Sequence, residues 1–141
     1  MSEAAASAQL ADAITIVRLS LHVFAAAIWV GGQFVMAGLI PTVRGLGEGA
    51  TQKVARAFGR LGWPAFAVLV ATGVWNQVAV GRHASGAWNA VFAVKMVTVL
   101  IAGVATGLHT RATSPASRGA FAGTAALASS AALVLGVALA G

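Results

Sequence analysis

The stretch from Leu21 to Pro41, LHVFAAAIWVGGQFVMAGLIP, is the feature that most constrains what this chain can fold into. It carries no Asp, Glu, Lys or Arg, and it is long enough to cross a bilayer as a helix, which takes about 20 mostly apolar residues. The composition agrees, because 59% of the residues are hydrophobic and 9% are charged, whereas soluble domains contain about 25% charged residues. These features predict an integral membrane protein.

Three further apolar segments follow, separated by short polar stretches. We predict a single integral membrane domain over residues 1–141, with spans at about 13–40, 61–80, 88–109 and 119–140. Pro41 is expected to end the first span, and Trp63 and Trp88 are expected to anchor span boundaries at the membrane interface. Short connections favour antiparallel neighbours, so the predicted fold class is all-α, an up-down bundle of four transmembrane helices.

The loop between the first two spans contains a basic amphipathic segment, residues 51–60. Its polar face carries Lys53, Arg56 and Arg60. A helix of this kind is typical of segments that lie flat on an anionic membrane surface. The alternative is a helix within a solvated loop.

Most of the net charge of +6 lies in the loops. The loops after the first and third spans hold Arg44, Lys53, Arg56, Arg60, Arg111 and Arg118, whereas the loop on the opposite side holds only Arg82. Because positively charged loops stay in the cytoplasm, we expect a multi-pass protein of the cytoplasmic (inner) membrane with both termini extracytoplasmic. The positive charge is thus read as membrane topology, with the lipid bilayer as partner and no nucleic acid.

Polar side chains lie at one depth in three of the predicted spans. At 1.5 Å per residue, His22 lies about 12 Å from the outer end of the first span and Lys95 about 10 Å from the same side of the third. Asn76 lies about 6 Å from that side in the second span, and Arg18 lies one helical turn from His22. We call these four residues the polar layer. Ionisable groups at membrane depth indicate a functional site.

No acidic side chain is available within the spans to neutralise this layer. The acidic residues of the chain all lie outside the spans; they are Glu3, Asp12 and Glu48. Lys95 must therefore be deprotonated, hydrated, or neutralised by something that the chain does not encode. An anionic ligand would do this, and the propionates of a porphyrin are one candidate.

Each member of the layer also has a structural explanation. Arg18 can extend its guanidinium to the interface, and His22 and Asn76 can form hydrogen bonds to neighbouring helices. Trp29 lies on the same helical stripe as Arg18 and His22, with Met36 further along, and it is either a packing residue or part of a cofactor-binding wall. His109, at the inner end of the third span, is either a boundary residue or a ligand that pairs with Met36.

Short motifs give the chain a resemblance to known families. The pattern LH-x6-WVGG (Leu21, His22 and Trp29 to Gly32), TGVWN at Thr72 to Asn76 and VKM at Val94 to Met96 resemble the copper resistance protein D family. The order His22, Trp29, Lys95, His109 also resembles the four-helix, haem-binding protoporphyrinogen oxidases of bacteria. The latter resemblance implies haem b bound in the bundle, with His22 and Lys95 as the key catalytic positions. The former implies copper uptake or tolerance.

Three hypotheses follow. In the first, the protein binds haem b or a porphyrin through the polar layer, with Trp29 and His109 as further cofactor contacts; as an oxidoreductase it would oxidise a porphyrinogen and pass electrons to quinone. In the second, it handles copper, with metal ligands drawn from His22, His109, Met36 and Met96. In the third, it is a structural subunit that packs, as a homo-oligomer or within a larger membrane complex, through its glycine-rich helices.

Overall fold

The computed structural model describes residues 10–140, and within that range every regular element is helical. In chain order the elements are α1 (Ala13–Ala26), a π-helical turn (Ala27–Gly31), α2 (Gly32–Arg44), α3 (Ala50–Val80), α4 (Gly86–Arg111) and α5 (Pro115–Ala140). The first three form one continuous span, so four helices are long and apolar enough to cross a membrane. The predicted all-α fold with four spans is confirmed.

The first span does not end before Pro41, as the sequence had indicated. Pro41 lies inside α2, which continues to Arg44. A proline removes only its own backbone donor from the helix ladder, and the turn beyond it is held by Val43, which is buried. The chain then reverses over residues 45–49, where Gly47 and Gly49 adopt positive φ angles of 112° and 77° that other residues rarely adopt.

The basic segment 51–60 is the first part of α3, so the prediction of a separate helix lying flat on the membrane is wrong. α3 runs without interruption from Ala50, and the ring of Phe58 packs directly against Gly32 of α2. A Cβ atom at Gly32 would overlap that ring. Tertiary packing of one aromatic side chain on a glycine therefore keeps the segment in line with the span.

Trp63 contributes to packing between helices. It lies within α3, and its ring centroid is 5.6 Å from that of Trp29 and 5.9 Å from that of Phe66. The aromatic rings of Trp29, Trp63 and Phe66 thus pack together between the first span and α3. Trp29 belongs to the hydrophobic core together with Leu69 and Val99, and Phe66 packs against that core.

The bundle consists of two helical hairpins. The first span packs against α3, and α4 packs against α5 along most of its length, whereas α3 and α4 meet only sparsely. The α4–α5 contact uses small buried side chains, which let the helix axes come close; they are Ala102, Ala105, Ala125, Ala128 and Ala132. Large apolar side chains on the outside of the bundle fit contact with lipid, among them Phe24, Val104 and Leu127.

The two ends of the bundle differ in charge. We call the end that carries loops 45–49 and 112–114 the basic end, because basic residues lie on the helix ends beside both loops; they are Arg44, Lys53, Arg56, Arg111 and Arg118. The other end, where α1 begins, α5 ends and residues 81–85 turn, is the terminal end. At the terminal end Asp12 caps α1 by accepting hydrogen bonds from the Thr15 backbone N–H at 2.9 Å and the Thr15 hydroxyl at 3.0 Å.

Candidate functional site

His22 is held by one hydrogen bond to the neighbouring helix. Its Nδ1 lies 2.7 Å from the Oγ1 of Thr72 on α3, and its Cε1 lies over Gly73, where an added Cβ would be 3.7 Å away. The imidazole therefore rests on α3 in the half of the membrane nearer the terminal end. Thr72 is buried, so this contact lies inside the bundle.

The hydrogen bonds of Thr72 favour one tautomer of His22. The Thr72 hydroxyl lies 2.7 Å from the carbonyl oxygen of Val68, one turn back in its own helix, and it donates its single proton there. Its oxygen can then only accept from His22, so Nδ1 carries the proton and donates. The Nε2 atom of His22 is left with a free lone pair, which is the arrangement found in metal-ligating histidines.

Arg18 is buried, and the Nε atom of its guanidinium has no hydrogen-bond partner within residues 10–140. The side chain is 6% exposed. The alternative in which Arg18 extends to the interface does not describe this geometry. Leaving such a donor without a partner costs about 1–3 kcal/mol, and more when the group is charged.

Asn76 lies at the same level of the bundle as Arg18. Arg18 precedes His22 by one turn on α1, and Asn76 follows Thr72 by one turn on α3; because the two helices run antiparallel, these turns lie side by side. The Oδ1 atom of Asn76 is buried and has no partner in the described range. A donor and an acceptor are thus both left open at one level of one helix pair.

Lys95 reaches the same region from the second hairpin. Its side chain lies across α5 at Gly136, where an added Cβ would be 2.9 Å from Nζ. Lys95 lies about 14 Å along α4 from its start, in the half of the bundle nearer the terminal end. Both acids in residues 10–140, Asp12 and Glu48, lie outside the spans, so the ammonium group faces no carboxylate there. The two hairpins together build the polar layer.

A second group of polar side chains lies deeper, and we call Trp29, Gln33 and Ser129 the central cluster. Ser129 on α5 accepts hydrogen bonds from Trp29 Nε1 at 3.1 Å and from Gln33 Nε2 at 3.0 Å. Gln33 Nε2 also lies 3.2 Å from the Trp29 carbonyl oxygen, beside the π-helical turn. Trp29 is 3% exposed, and its ring lies 4.5 Å from that of Phe66, tilted by 40°, so protein covers it on all sides.

The remaining predicted ligands lie apart from His22. His109 is near the basic end of α4, about 21 Å along that helix from Lys95, and its Nδ1 donates to the Arg118 carbonyl at 2.9 Å, which ties the α4–α5 loop. Met36 is similarly about 21 Å along the first span from His22. Met96 follows Lys95 directly. No cluster of three or more His, Cys, Asp or Glu side chains that could hold a metal forms within residues 10–140.

Two surface grooves are formed elsewhere in the bundle. One, of about 440 Å³, lies on the outside of α1 between Leu19 and Ala27. The other, of about 530 Å³, lies between α3 and α4 toward the basic end. No residue of the polar layer lines either groove.

Sequence reasoning missed several contributors to this region. Thr72, Gly73 and Gly136 determine how His22 and Lys95 are placed, yet only Thr72 carried a signal, since it lies one turn from Asn76 on α3. Gln77 was missed as well. Its Nε2 donates to Asn89 Oδ1 at 3.1 Å across α3 and α4, and its Oε1 is buried without a partner in the described range.

Comparison with known proteins adds no assignment. No protein-family model matches the chain, and neither a curated protein nor a solved structure matches it. The resemblance described from the short motifs stays a prediction.

Proposed function

We propose that this integral membrane protein binds haem b in the half of the bundle nearer the terminal end, with His22 as the iron ligand. The single observation that carries the proposal is the hydrogen bond between His22 and Thr72. It leaves Nε2 of His22 unprotonated and with its lone pair free. This tautomer serves the link to Thr72, and it also presents Nε2 as the unprotonated nitrogen that an iron ligand requires.

The charges around His22 fit the carboxylates of a haem. Arg18 has a buried guanidinium nitrogen without a partner within residues 10–140, and Lys95 extends from α4 with no acid in the spans to pair with. Haem carries two propionates, so one for each cation would neutralise both. Asn76 Oδ1 requires a donor, which a water bound to a propionate can supply.

Bare copper fits the same residues less well. A metal cation beside Arg18 and Lys95, with no carboxylate in the spans, is opposed by their charge. The histidines and methionines that could hold copper are also spread over both ends of the bundle. A porphyrin differs in this respect because its own anionic groups meet the cations while its iron needs only one protein nitrogen.

Bound haem would supply one-electron redox chemistry, and the resemblance to protoporphyrinogen oxidases points to porphyrinogen oxidation with quinone as acceptor. In that reaction the residues of this chain would have limited and separate tasks. His22 holds the cofactor through Nε2, Arg18 and Lys95 bind and orient carboxylates, and the central cluster closes the bundle below the site against water.

We propose the cytoplasmic membrane as the location, with the basic end in the cytoplasm, on the basis of the positive charge of the helix ends that flank loops 45–49 and 112–114. The chain has no cysteine, which makes a direct test simple. Cysteines introduced one at a time at Gly47 and at Ser85 should differ in labelling by a membrane-impermeant maleimide applied to intact cells. Only Ser85→Cys should react; labelling of Gly47→Cys alone would reverse the orientation.

An absorption spectrum tests the haem proposal. The full-length protein, expressed with haem precursors and purified in detergent, should show a Soret band, and His22→Ala should abolish it while the helix content measured by circular dichroism stays constant. His83→Ala is the matched control, because His83 is exposed in the turn at the terminal end, and its spectrum should equal that of the wild type.

Other results would count against the proposal. A wild-type protein without a Soret band after reconstitution with haem b, or an equal band in His22→Ala, would rule out His22 as the iron ligand. Copper that co-purifies with the wild type and is lost in Met96→Leu would favour copper handling instead.

A further inference from the structure

The groove between α3 and α4 is separate from the polar layer and has its own chemistry. It has a volume of about 530 Å³, within the range of about 300–1,000 Å³ typical of ligand sites. Its walls are apolar over most of their length and include Trp63, Phe66, Leu100 and Leu108, and Arg111 lies at one end. The groove exists because α3 and α4 meet only sparsely and because Gly107 leaves open space where a side chain would be.

The length of the groove matches one leaflet of a membrane. From Leu100 to Arg111 the groove follows α4 for about 16 Å. Half of the roughly 30 Å hydrocarbon core of a bilayer is about 15 Å. The groove therefore runs from the middle of the membrane to the basic end, where its cationic residue reaches the level of lipid headgroups.

The positive charge at the open end of the groove indicates which kind of molecule the groove can bind. Arg111 is exposed there, and Arg60 lies one turn before Trp63 on α3, on the same face and toward the same end. Glu48 is the single acid toward that end among the described residues, against six basic residues, which are Arg44, Lys53, Arg56, Arg60, Arg111 and Arg118. An occupant with an apolar chain and an anionic head complements such a surface.

We propose that this groove binds one anionic phospholipid, with an acyl chain between α3 and α4 and its phosphate at Arg111 and Arg60. The bound lipid fills the gap between the two hairpins where they have few contacts of their own. It thereby joins them on the side of the bundle away from the polar layer. The proposal is independent of haem, since none of its residues belongs to the polar layer.

Native mass spectrometry of the delipidated full-length protein, with phosphatidylglycerol or phosphatidylcholine of identical acyl chains added, tests this proposal. The wild type should retain one phosphatidylglycerol in preference to phosphatidylcholine. Arg111→Gln should weaken phosphatidylglycerol binding about fivefold, as expected for one arginine near an anionic headgroup, and should leave phosphatidylcholine unchanged. Arg44→Gln, also at the basic end but not in the groove, is the matched control and should change nothing.

A second variant tests the apolar part of the groove. Gly107→Leu places a side chain in the open space of the groove and should reduce retention of both lipids, whereas Gly119→Leu, which also enters open space but lies on α5, should not. Equal binding of the two lipids to the wild type, or no effect of Arg111→Gln, would overturn the proposal. A dimer that Gly107→Leu converts to monomer without loss of lipid would also overturn it and would identify a second copy of the chain as the occupant.

Discussion

The polar layer and the central cluster are two groups of polar side chains inside the same bundle, and they differ in how their hydrogen bonds are satisfied. In the central cluster the side-chain donors of Trp29 and Gln33 both reach Ser129. In the polar layer Arg18 Nε and Asn76 Oδ1 are buried without partners in the described range. Buried polar groups in folded proteins are nearly always paired, so the central cluster is explained by folding alone and the polar layer is not.

The difference teaches how to separate a structural polar group from a functional one within a membrane. The central cluster links the first span to α5 and needs nothing from outside the chain. The polar layer combines an oriented histidine with two cations and lacks any acid of its own. A ligand that supplies negative charge would satisfy the polar groups of the layer, as Ser129 satisfies the donors of the central cluster.

The largest effect on the free energy of unfolding is expected for Trp29→Ala in the central cluster. Removing a buried aromatic side chain typically lowers the free energy of unfolding by about 3–5 kcal/mol, and here it also removes the contacts to Trp63 and Phe66. Reversible unfolding in mixed micelles would measure it. Trp75→Ala is the control, because Trp75 is 42% exposed on the outside of the bundle; an equal loss for both variants would show that the cluster does not hold the hairpins together.

Arg18→Met, in the polar layer, should change the free energy of unfolding in the opposite direction. Without ligand, the variant should raise the free energy of unfolding by about 2 kcal/mol, because it replaces an unpaired buried donor with an apolar side chain of similar length. With haem b the variant should gain less stability than the wild type does. Arg82→Met, in the exposed turn, should match the wild type in both conditions; a destabilised Arg18→Met would mean that the guanidinium is already satisfied within the protein.

Ser129→Ala should produce a smaller loss, of about 1 kcal/mol, because the donors of Trp29 and Gln33 lose their shared acceptor and hydrogen bonds between membrane helices are individually weak. Haem binding should be unchanged. Ser130→Ala provides the comparison, since the Ser130 hydroxyl bonds only to the Ala126 carbonyl of its own helix at 2.8 Å. Loss of the Soret band in Ser129→Ala would extend the functional site into the central cluster.

The smallest effect concerns Asp12, the described acid at the terminal end. The Thr15 backbone N–H, together with the Thr15 hydroxyl, holds the pKa of Asp12 below its usual value of 3.8. The cap therefore stabilises α1 fully above about pH 4, and this contribution is lost as the pH falls through the lowered pKa. Asp12→Asn should keep the cap, remove this pH dependence and leave haem affinity unaltered; a change in haem affinity would make Asp12 a partner of the layer.

Much of the fold could be predicted because the bilayer imposes it. Apolar length sets the spans, and counting residues from their ends places His22, Lys95 and Asn76 at similar depths. The errors came where packing decides between local alternatives. Pro41 stays within a helix, and segment 51–60 continues α3, because of contacts such as that of Phe58 on Gly32, which no local pattern reveals.

The site was predictable in its residue types and not in its hydrogen bonding. Spacing placed Arg18 one turn from His22, but it could not decide between burial and extension to the interface, because that depends on the helices packed around it. The role of Thr72 depends on where its single proton goes, and that of Gly136 on the approach of Lys95 from a neighbouring helix. Both are properties of tertiary structure.

The central claim is that the polar layer is completed by an anionic ligand, and the affinity of the protein for haem b relative to haem b dimethyl ester tests it most directly. Both porphyrins carry the same iron for His22, but only the free acid offers carboxylates to Arg18 and Lys95. The wild type should bind haem b at least about tenfold more tightly than the ester, and Lys95→Gln should reduce that preference. Equal affinity for the two porphyrins, unaffected by Lys95→Gln, would contradict the account.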